Sequence, residues 1–265
     1  MRVVLLGKGG SGKSTLAGLL SAALGEGGDR VLALDADTVP GLGQVLGVEQ
    51  SDDYFLAGMA VREHGGWQLV DSPQETVDKA ARVAPGGVRF LQSGNADAAM
   101  KDFEISRRNY PDRWSGLIAF NTIARSYDDE GGWVVVDLHG GTLQVANGMA
   151  GQAGVAIVVV EPFAKSVLTA RRFVEMGEWP AAMRLVAVAN KVASADDQAY
   201  LEDELAALGV PLWAVVPADP AIALAEREGS PLVTLHPDTP ARRAVATLVV
   251  RLRRAASETP VPAST

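Results

Sequence analysis

The stretch GKGGSGKST at residues 7–15 constrains the fold more than any other part of the chain. It follows an apolar run at residues 3–6 and leads into a helical pattern at residues 13–24. Glycine adopts positive φ without a steric penalty, so a glycine-rich loop can turn several backbone N–H groups toward one point. The chain therefore opens with a strand, a tight glycine loop and a helix.

This loop has the spacing of a phosphate-binding motif. The glycines at positions 7 and 12, followed by Lys13 and Ser14, fit the pattern G-x-x-x-x-G-K-[ST] between strand and helix. We expect Lys13 to reach the β- and γ-phosphates of a nucleotide and Ser14 to ligate Mg²⁺. The alternative is a plain glycine turn. The nucleotide-binding residues predicted from the loop are Gly7, Gly9, Gly10, Ser11, Gly12, Lys13, Ser14 and Thr15.

Apolar runs alternate with helix-length segments along most of the chain. Several runs are continuously apolar, as strands covered on both faces are. This alternation predicts an α/β fold with one doubly wound, mostly parallel sheet and helices on both faces. The predicted strands are residues 3–6, 31–34, 88–91, 133–136, 156–160, 185–189 and 212–216. The predicted helices are residues 13–24, 142–150, 165–176, 195–208, 220–228 and 240–255.

We expect one domain over residues 1–256, followed by a disordered tail, SETPVPAST, at residues 257–265. Residues 50–130 have the least regular pattern, and we interpret them as helices and loops that decorate the sheet, with a helical stretch at residues 96–105.

Composition excludes several classes of protein. The chain has no cysteine, which excludes disulfides, thiolate metal sites and cysteine-held iron–sulfur clusters. No apolar run approaches the roughly 20 residues that span a bilayer, and the glycine loop interrupts any signal-peptide pattern. These features predict a cytoplasmic location. The net charge of −8 argues against binding nucleic acid by overall charge, although a local basic face stays open.

The loop resembles the deviant Walker A motif, K-G-G-x-G-K-[ST], of the MinD/ParA/CooC/nitrogenase-iron-protein class of P-loop ATPases (the SIMIBI class). The resemblance implies ATP or ADP with Mg²⁺ as ligands. In that class the first lysine, here Lys8, reaches across a dimer and stabilises charge on phosphates bound by the partner subunit. A homodimer formed through ATP is therefore implied. The alternative for Lys8 is a solvated loop lysine.

Two carboxylates end the second predicted strand, in LALDADTVPGLGQVLG at residues 32–47. Ligands of open α/β sheets bind at this edge. The stretch resembles the D-x-D segment of the same family. The resemblance implies that Asp37 positions the attacking water and contributes to the metal site, with Asp35 supporting it nearby. The alternative is a pair of acids that caps a turn.

The fourth predicted strand runs into Asp137, which suits a Walker B carboxylate acting on Mg²⁺ or its waters. The segment resembles the family's switch II, which implies that the Gly140 N–H contacts the γ-phosphate. The implied magnesium site is Ser14, Asp37 and Asp137, partly through water. His139 departs from the family pattern, and we interpret it as a tolerated polar residue, with a catalytic or regulatory role as the alternative.

Two segments later in the sequence resemble the family's base-binding segments. Asn190 and Lys191 end a strand, and an Asn side chain offers both a donor and an acceptor to an adenine edge. The run Pro217, Ala218 and Asp219 resembles the loop that closes over the adenine through backbone contacts. Ordinary turns are the alternative in both places.

Glu161-Pro162, with the helix after it, resembles a segment of CooC-like ATPases, although Phe163 replaces the usual serine. The leading hypothesis is therefore an ATP-hydrolysing switch with catalytic residues Lys8, Lys13 and Asp37, acting on an unidentified protein target in maturation or loading. Since the chain has no cysteine, it carries no cysteine-held metal cargo.

Three alternatives stay open. One is a ParA/MinD-type positioning ATPase that binds DNA or membrane, for which the last helix offers Arg243, Arg251 and Arg254. Another is a small-molecule kinase or ligase on the same fold, which has no need of Lys8. The third is a nucleotide-binding module with negligible turnover.

Overall fold

The computed structural model describes residues 1–37, 40–49, 56, 58–63, 65–93, 110–128, 130–142, 145, 153–176 and 179–258. The strands are β1 Arg2–Gly7, β2 Val31–Asp35, β3 Ala60–Glu63, β4 Gly66–Leu69, β5 Arg82–Val83, β6 Arg89–Gln92, β7 Trp133–Asp137, β8 Val155–Val160, β9 Arg184–Val192 and β10 Leu212–Pro217. The α-helices are α1 Lys13–Glu26, α2 Leu42–Leu46, α3 Pro73–Ala80, α4 Tyr110–Ser126, α5 Ala164–Glu175, α6 Ala195–Ala207, α7 Pro220–Glu228 and α8 Pro240–Glu258.

One sheet of eight strands forms the centre, in the order β10-β9-β8-β1-β7-β2-β6-β5. All neighbours are parallel except β5, which pairs antiparallel with β6 at the edge. Strands β1, β2, β7 and β8 are buried along almost their whole length, which explains their continuously apolar sequences. The predicted fold class is confirmed, and each of the seven predicted strands is present.

Helices cover both faces of the sheet, because successive strand side chains point to opposite sides. In β1, Val3 and Leu5 join the core that includes α1 and α8, whereas Val4 and Leu6 join the core that includes α4, α5 and α6. Helix α1 also packs closely on α2, since a Cβ on Gly18 would lie 2.2 Å from the Val45 side chain. This contact fixes the chain that follows β2 beside the glycine loop.

Residues 50–130 hold more sheet than we predicted. An antiparallel hairpin, β3–β4, lies outside the main sheet, and β5 adds a short edge strand. The pattern of helices and loops is therefore an incomplete prediction for this region, in which α3 and α4 are the described α-helices. The predicted helix at residues 96–105 lies outside the described residues, as does most of the one at residues 142–150.

Helix α8 packs its apolar stripe into the domain. The buried stripe includes Val245, Leu248 and Leu252. Its arginines also contact the protein: Arg251 donates to the Leu212 carbonyl oxygen at 2.9 Å, and Arg253 pairs with Asp29 at 2.6 Å. The helix continues to Glu258, past the expected domain boundary at residue 256, and residues 259–265 lie outside the described part. Among the described helices, none has the length and hydropathy to cross a bilayer.

Candidate nucleotide site

The glycine loop joins β1 to α1 as a compact turn. Gly10 and Gly12 have φ of +81° and +91°, which side chains with a Cβ rarely adopt. The Ser11 N–H donates to the Lys8 carbonyl oxygen at 3.2 Å, and α1 begins at Lys13, directly after Gly12. The positive end of the helix dipole therefore faces the cavity above the loop.

Lys13 is buried beneath this loop and only 6% exposed. Its Nζ donates to the Lys8 carbonyl oxygen at 3.3 Å. Burial lowers the pKa of Lys13, and the charge of Asp137 opposes that effect. A buried ammonium is energetically costly unless it is paired, so an anion bound beside Lys13 would be stabilised.

The segment after β7 packs directly on the loop. The Gly141 N–H donates to the Gly7 carbonyl oxygen at 3.1 Å. A Cβ on Gly140 would lie 2.8 Å from the backbone of Gly9, so only glycine allows this approach. The predicted phosphate loop and the predicted switch II are therefore adjacent.

The two acids at the end of β2 differ sharply in their surroundings. Both oxygens of Asp35 accept backbone hydrogen bonds, from Asp37 N–H at 3.0 Å and from the N–H groups of Gly41 and Leu42 at 3.1 and 2.9 Å. Burial raises the pKa of Asp35 to about 6, against the effect of these donors. Asp35 thus caps the turn, a role that the alternative gave to both acids, while the Asp37 side chain lines the cavity.

Asp137 is 1% exposed at the end of β7, and both of its carboxylate oxygens lack a hydrogen-bond partner of good geometry among the described residues. Burial, with the charge of Asp35 beside it, raises the pKa of Asp137 to about 8, and the nearby Ser14 hydroxyl opposes that shift. Buried carboxylate oxygens without donors are costly. A hard divalent cation between Asp137 and Ser14 would remove that cost, so the residues present fit Mg²⁺.

A cavity of about 720 Å³ opens above these groups, a size typical of small-molecule sites. Its walls come from the glycine loop, the ends of β2, β7, β9 and β10, and the first turns of α7. The lining residues are Gly9, Gly10, Gly12, Lys13, Ser14, Thr15, Asp37, His139, Gly140, Asn190, Lys191, Pro217, Ala218, Asp219, Pro220, Ile222, Ala223 and Glu226.

The predicted base-binding residues also hold the loop. Asn190 Nδ2 donates to the Ser11 carbonyl oxygen at 2.7 Å, and Lys191 Nζ donates to the Gly10 carbonyl oxygen at 2.6 Å. A Cβ on Gly12 would lie 2.2 Å from Asn190 Nδ2, so this glycine makes room for the amide.

Asp219 has a defined structural task at the other end of the cavity. Its Oδ1 accepts from the Ala221 N–H at 3.0 Å, which caps α7, and its Oδ2 accepts from the Ala241 N–H in α8 at 3.1 Å. The Ala218 N–H donates to the Val192 carbonyl oxygen at 2.9 Å. These contacts fix the loop Pro217–Asp219 against β9.

Four predicted residues lie away from the cavity wall: Gly7, Lys8, Ser11 and Asp137. Ser11 and Asp137 are buried below it. Within the described part of the chain, the one hydrogen bond of the Lys8 ammonium goes to the neighbouring Gly9 carbonyl oxygen, at 3.4 Å. His139 does lie in the wall, with Nε2 at 3.7 Å from Asp37 Oδ1 and Nδ1 at 2.8 Å from the Gly140 carbonyl oxygen.

Sequence reasoning missed the α7 side of the cavity and one buried acid. Ile222, Ala223 and Glu226 follow the predicted loop by one and two helical turns, and that spacing could have found them. Glu226 Oε1 accepts from the Thr15 hydroxyl at 3.2 Å. Glu161 pairs with Lys191 at 3.0 Å, a contact that the sequence did not indicate, although Glu161 lies in the segment that resembles CooC-like ATPases.

A parallel sheet with a glycine loop, a buried lysine and a strand-end aspartate at one edge defines a P-loop nucleotide-binding protein. Residues 3–232 match the family model described as the CobQ/CobB/MinD/ParA nucleotide binding domain. The chain belongs to this family, and the resemblance to MinD/ParA-type ATPases is confirmed.

The similar proteins share most of the length of the chain. An uncharacterised ATP-binding protein of Methanocaldococcus jannaschii is 26% identical, over 93% of this chain and 84% of its own. The carbon monoxide dehydrogenase accessory protein CooC of Rhodospirillum rubrum is 24% identical, over 89% of this chain and 91% of its own. The solved structure of the septum site-determining protein MinD of Pyrococcus horikoshii, complexed with Mg-ADP, covers 98% of both chains at 22% identity with a TM-score of 0.69.

Proposed function

We propose that this protein is an ATP-hydrolysing molecular switch that forms a sandwich dimer through ATP and acts on a protein partner. The observation that carries the proposal is the contrast between the two loop lysines. Lys13 is buried under the loop of its own subunit, whereas the one hydrogen bond of the Lys8 ammonium among the described residues goes to the adjacent Gly9 carbonyl oxygen. A second subunit that supplies an anion would give Lys8 a role.

Nucleotide binding would use groups that are already in place. The N–H groups of the glycine loop and the Lys13 ammonium would hold the phosphates, and the Asn190 carbonyl with the walls from β10 and α7 would hold the base. Ser14 and Asp137 would hold Mg²⁺, with Asp37 acting partly through water. Mg²⁺, when bound, neutralises phosphate charge and lowers the barrier to transfer.

For hydrolysis, the Asp37 carboxylate would orient a water toward the γ-phosphate from the cavity wall. The Gly140 N–H would donate to the same phosphate. Lys8 of the second subunit would approach the bound phosphates and stabilise the charge that develops during transfer, as an arginine finger does.

The switch would rest on contacts that couple the moving segments. The Ala36 N–H donates to the Asp137 carbonyl oxygen at 2.9 Å, and the segment after β7 touches the glycine loop at Gly7 and Gly9. Loss of the γ-phosphate would therefore change the positions of Asp37 and Gly140 together. That movement would open the dimer and change the surface that a partner binds.

The kind of partner is inferred from relatives. CooC of Rhodospirillum rubrum is an accessory protein of carbon monoxide dehydrogenase, and it aligns along nearly all of this chain. We infer a related maturation or loading role on another protein. Since the chain has no cysteine, a thiolate-held metal cargo does not fit it.

A positioning ATPase is the second candidate, favoured by the similarity in fold to MinD. Membrane binding through α8 is disfavoured, because the apolar stripe of this helix is buried against the domain. A small-molecule kinase or ligase stays the third candidate, since the family includes CobQ and CobB. Neither a ligase nor a binding module without turnover would need Lys8.

Size measurement with ATP·Mg²⁺ tests the proposal. We expect Asp37→Ala to accumulate as a dimer because it binds ATP without turning it over. Lys8→Ala is expected to lose hydrolysis while it keeps nucleotide affinity. A Lys8→Ala variant that hydrolyses ATP at the wild-type rate as a monomer would rule out the sandwich mechanism. ATP-dependent binding to DNA or to anionic vesicles, lost on substitution of the α8 arginines, would favour a positioning ATPase.

A further inference from the structure

Two consecutive side chains of β9 contact the glycine loop, which is unusual for a strand. Successive strand residues normally point to opposite faces of the sheet. Lys191 has a φ of +58°, in the left-handed region, and this breaks the alternation. Asn190 and Lys191 therefore both reach the loop, where they bind the carbonyl oxygens of Ser11 and Gly10.

The Lys191 ammonium lies between two oxygens. It donates to the Gly10 carbonyl oxygen at 2.6 Å and to Glu161 Oε1 at 3.0 Å. The Glu161 side chain is only 9% exposed, and the Lys191 side chain is 49% exposed. The carboxylate is thus the anchored member of the pair, and the lysine is the part that reaches outward.

Glu161 is fixed at the end of β8, beside β1. Its N–H donates to the Ser166 hydroxyl in α5 at 3.0 Å, and Val160 before it is fully buried. A buried carboxylate is costly without a counter-ion, so Glu161 holds Lys191 strongly in this position. The strained backbone at Lys191 has a matching explanation, because it turns the side chain toward Glu161 and Gly10.

We propose that Glu161 is a positioning residue for the phosphate loop, acting through Lys191. A phosphate loop works when its carbonyl oxygens point away from the anion and its N–H groups point toward it. Lys191 binds the Gly10 carbonyl oxygen, and Asn190 binds the carbonyl oxygen of the next residue, Ser11. The backbone of the loop is therefore held in its phosphate-binding conformation before the ligand binds. The consequence for affinity rests on the nucleotide binding proposed above.

The double variant Glu161→Gln/Lys191→Met tests this role, because it removes the pair and leaves the net charge unchanged. Lys191→Met alone leaves Glu161 buried without its counter-ion, so we expect a lower melting temperature. The double variant removes that carboxylate and should melt near the wild type. Its Kd for ADP·Mg²⁺, measured by calorimetry, should still rise about ten- to hundredfold, the range for a lost charged hydrogen bond.

Amide hydrogen exchange gives a readout that needs no ligand. In the nucleotide-free double variant, the amides of residues 9–14 should exchange about tenfold faster, because local opening governs exchange. The control is Arg253→Met/Asp29→Asn, which removes an ion pair of 2.6 Å beyond the far end of α1 and should change neither quantity.

A double variant with wild-type exchange in the loop and wild-type affinity for ADP·Mg²⁺ would overturn the positioning role. A wild-type protein that binds no ADP·Mg²⁺ would instead contradict the proposed function. In that case the exchange rates of the nucleotide-free proteins still decide whether Glu161 and Lys191 hold the loop.

Discussion

Charged side chains are buried at one edge of the parallel sheet and exposed at the other. At the carboxyl edge, Asp35, Asp137 and Glu161 are buried, and Asp137 has no good hydrogen-bond donor among the described residues. At the amino edge, Arg30 pairs with Glu130 at 2.8 Å with both side chains more than 60% exposed. Solvated pairs of this kind contribute little to stability. Buried charges without partners weaken the folded state, which a protein tolerates where a ligand will supply the partner.

The largest difference between the edges is expected in nucleotide affinity, when the buried Lys13 is substituted. Lys13→Ala removes the ammonium beneath the loop, and we expect the Kd for ADP·Mg²⁺ to rise about a hundredfold or more. Arg89→Ala at the amino edge, where Arg89 pairs with Asp78 at 2.6 Å, should leave that Kd unchanged. Calorimetry on both variants measures the contrast, and equal effects would place the site elsewhere.

The next largest difference is expected in the free energy of unfolding, when glycines of positive φ are substituted. Gly12 and Gly209 both have positive φ. A Cβ on Gly12 would lie 2.2 Å from Asn190 Nδ2, whereas no atom of the described residues lies within 4 Å of a Cβ on Gly209. Gly209→Ala should cost about 1 kcal/mol from backbone strain alone. Gly12→Ala adds a clash and should cost about 1–3 kcal/mol more, with loss of ADP binding. Urea unfolding and calorimetry test the pair, and similar free energies of unfolding would contradict the tight contact.

The buried carboxylate of Asp137, which lacks a good hydrogen-bond donor among the described residues, should lower the stability of the protein. Burial raises the pKa of Asp137 to about 8, above its usual 3.8, so the folded state binds the proton more tightly than the unfolded state. Stability is therefore lost as the pH rises from the unfolded pKa toward the folded one.

Asp137→Asn should remove this loss. Without Mg²⁺ or nucleotide, the variant should match the wild type near pH 4 and be more stable by up to roughly 5 kcal/mol near pH 8, since each pKa unit corresponds to about 1.4 kcal/mol. With ATP·Mg²⁺ present, the same variant should lose hydrolysis. Thermal melts across that range check the trend. A variant that is less stable than the wild type at pH 8 would show that Asp137 is satisfied within the fold.

The smallest effect is expected at the amino edge. Arg30→Ala breaks an exposed ion pair with Glu130 and should change the free energy of unfolding by less than about 1 kcal/mol. Its Kd for ADP·Mg²⁺ should equal that of the wild type. A large loss of stability in urea unfolding would contradict the difference drawn between the edges.

Sequence patterns predicted the main sheet well because its strands are buried on both faces and therefore read as continuous apolar runs. The hairpin β3–β4 was missed because its strands have four residues each and are mostly not buried, as in Ala60–Glu63. Short, half-solvated strands have no strong periodic signal.

The site was predicted in part for a related reason. The glycine loop is a local motif, so the spacing of its residues predicts a phosphate site without reference to any tertiary contact. The different tasks of Asp35 and Asp37 depend on backbone N–H groups at Gly41 and Leu42, which no spacing indicates. Glu161 lies 30 residues from Lys191, and their contact depends on one left-handed residue in β9. Tertiary contacts of this kind have no local signature.

Complementation between two inactive variants tests the central claim most directly. Lys8→Ala and Asp37→Ala should each lose ATP hydrolysis when assayed alone. In a mixed dimer, the Lys8→Ala subunit keeps its own Asp37 and would receive Lys8 from the other subunit, which restores one of the two sites. If ATP is added after the two variants are mixed and they pair at random, half of the dimers are mixed, and an equal mixture should recover about one quarter of the wild-type rate. No recovery at any mixing ratio would show that Lys8 does not act across the dimer.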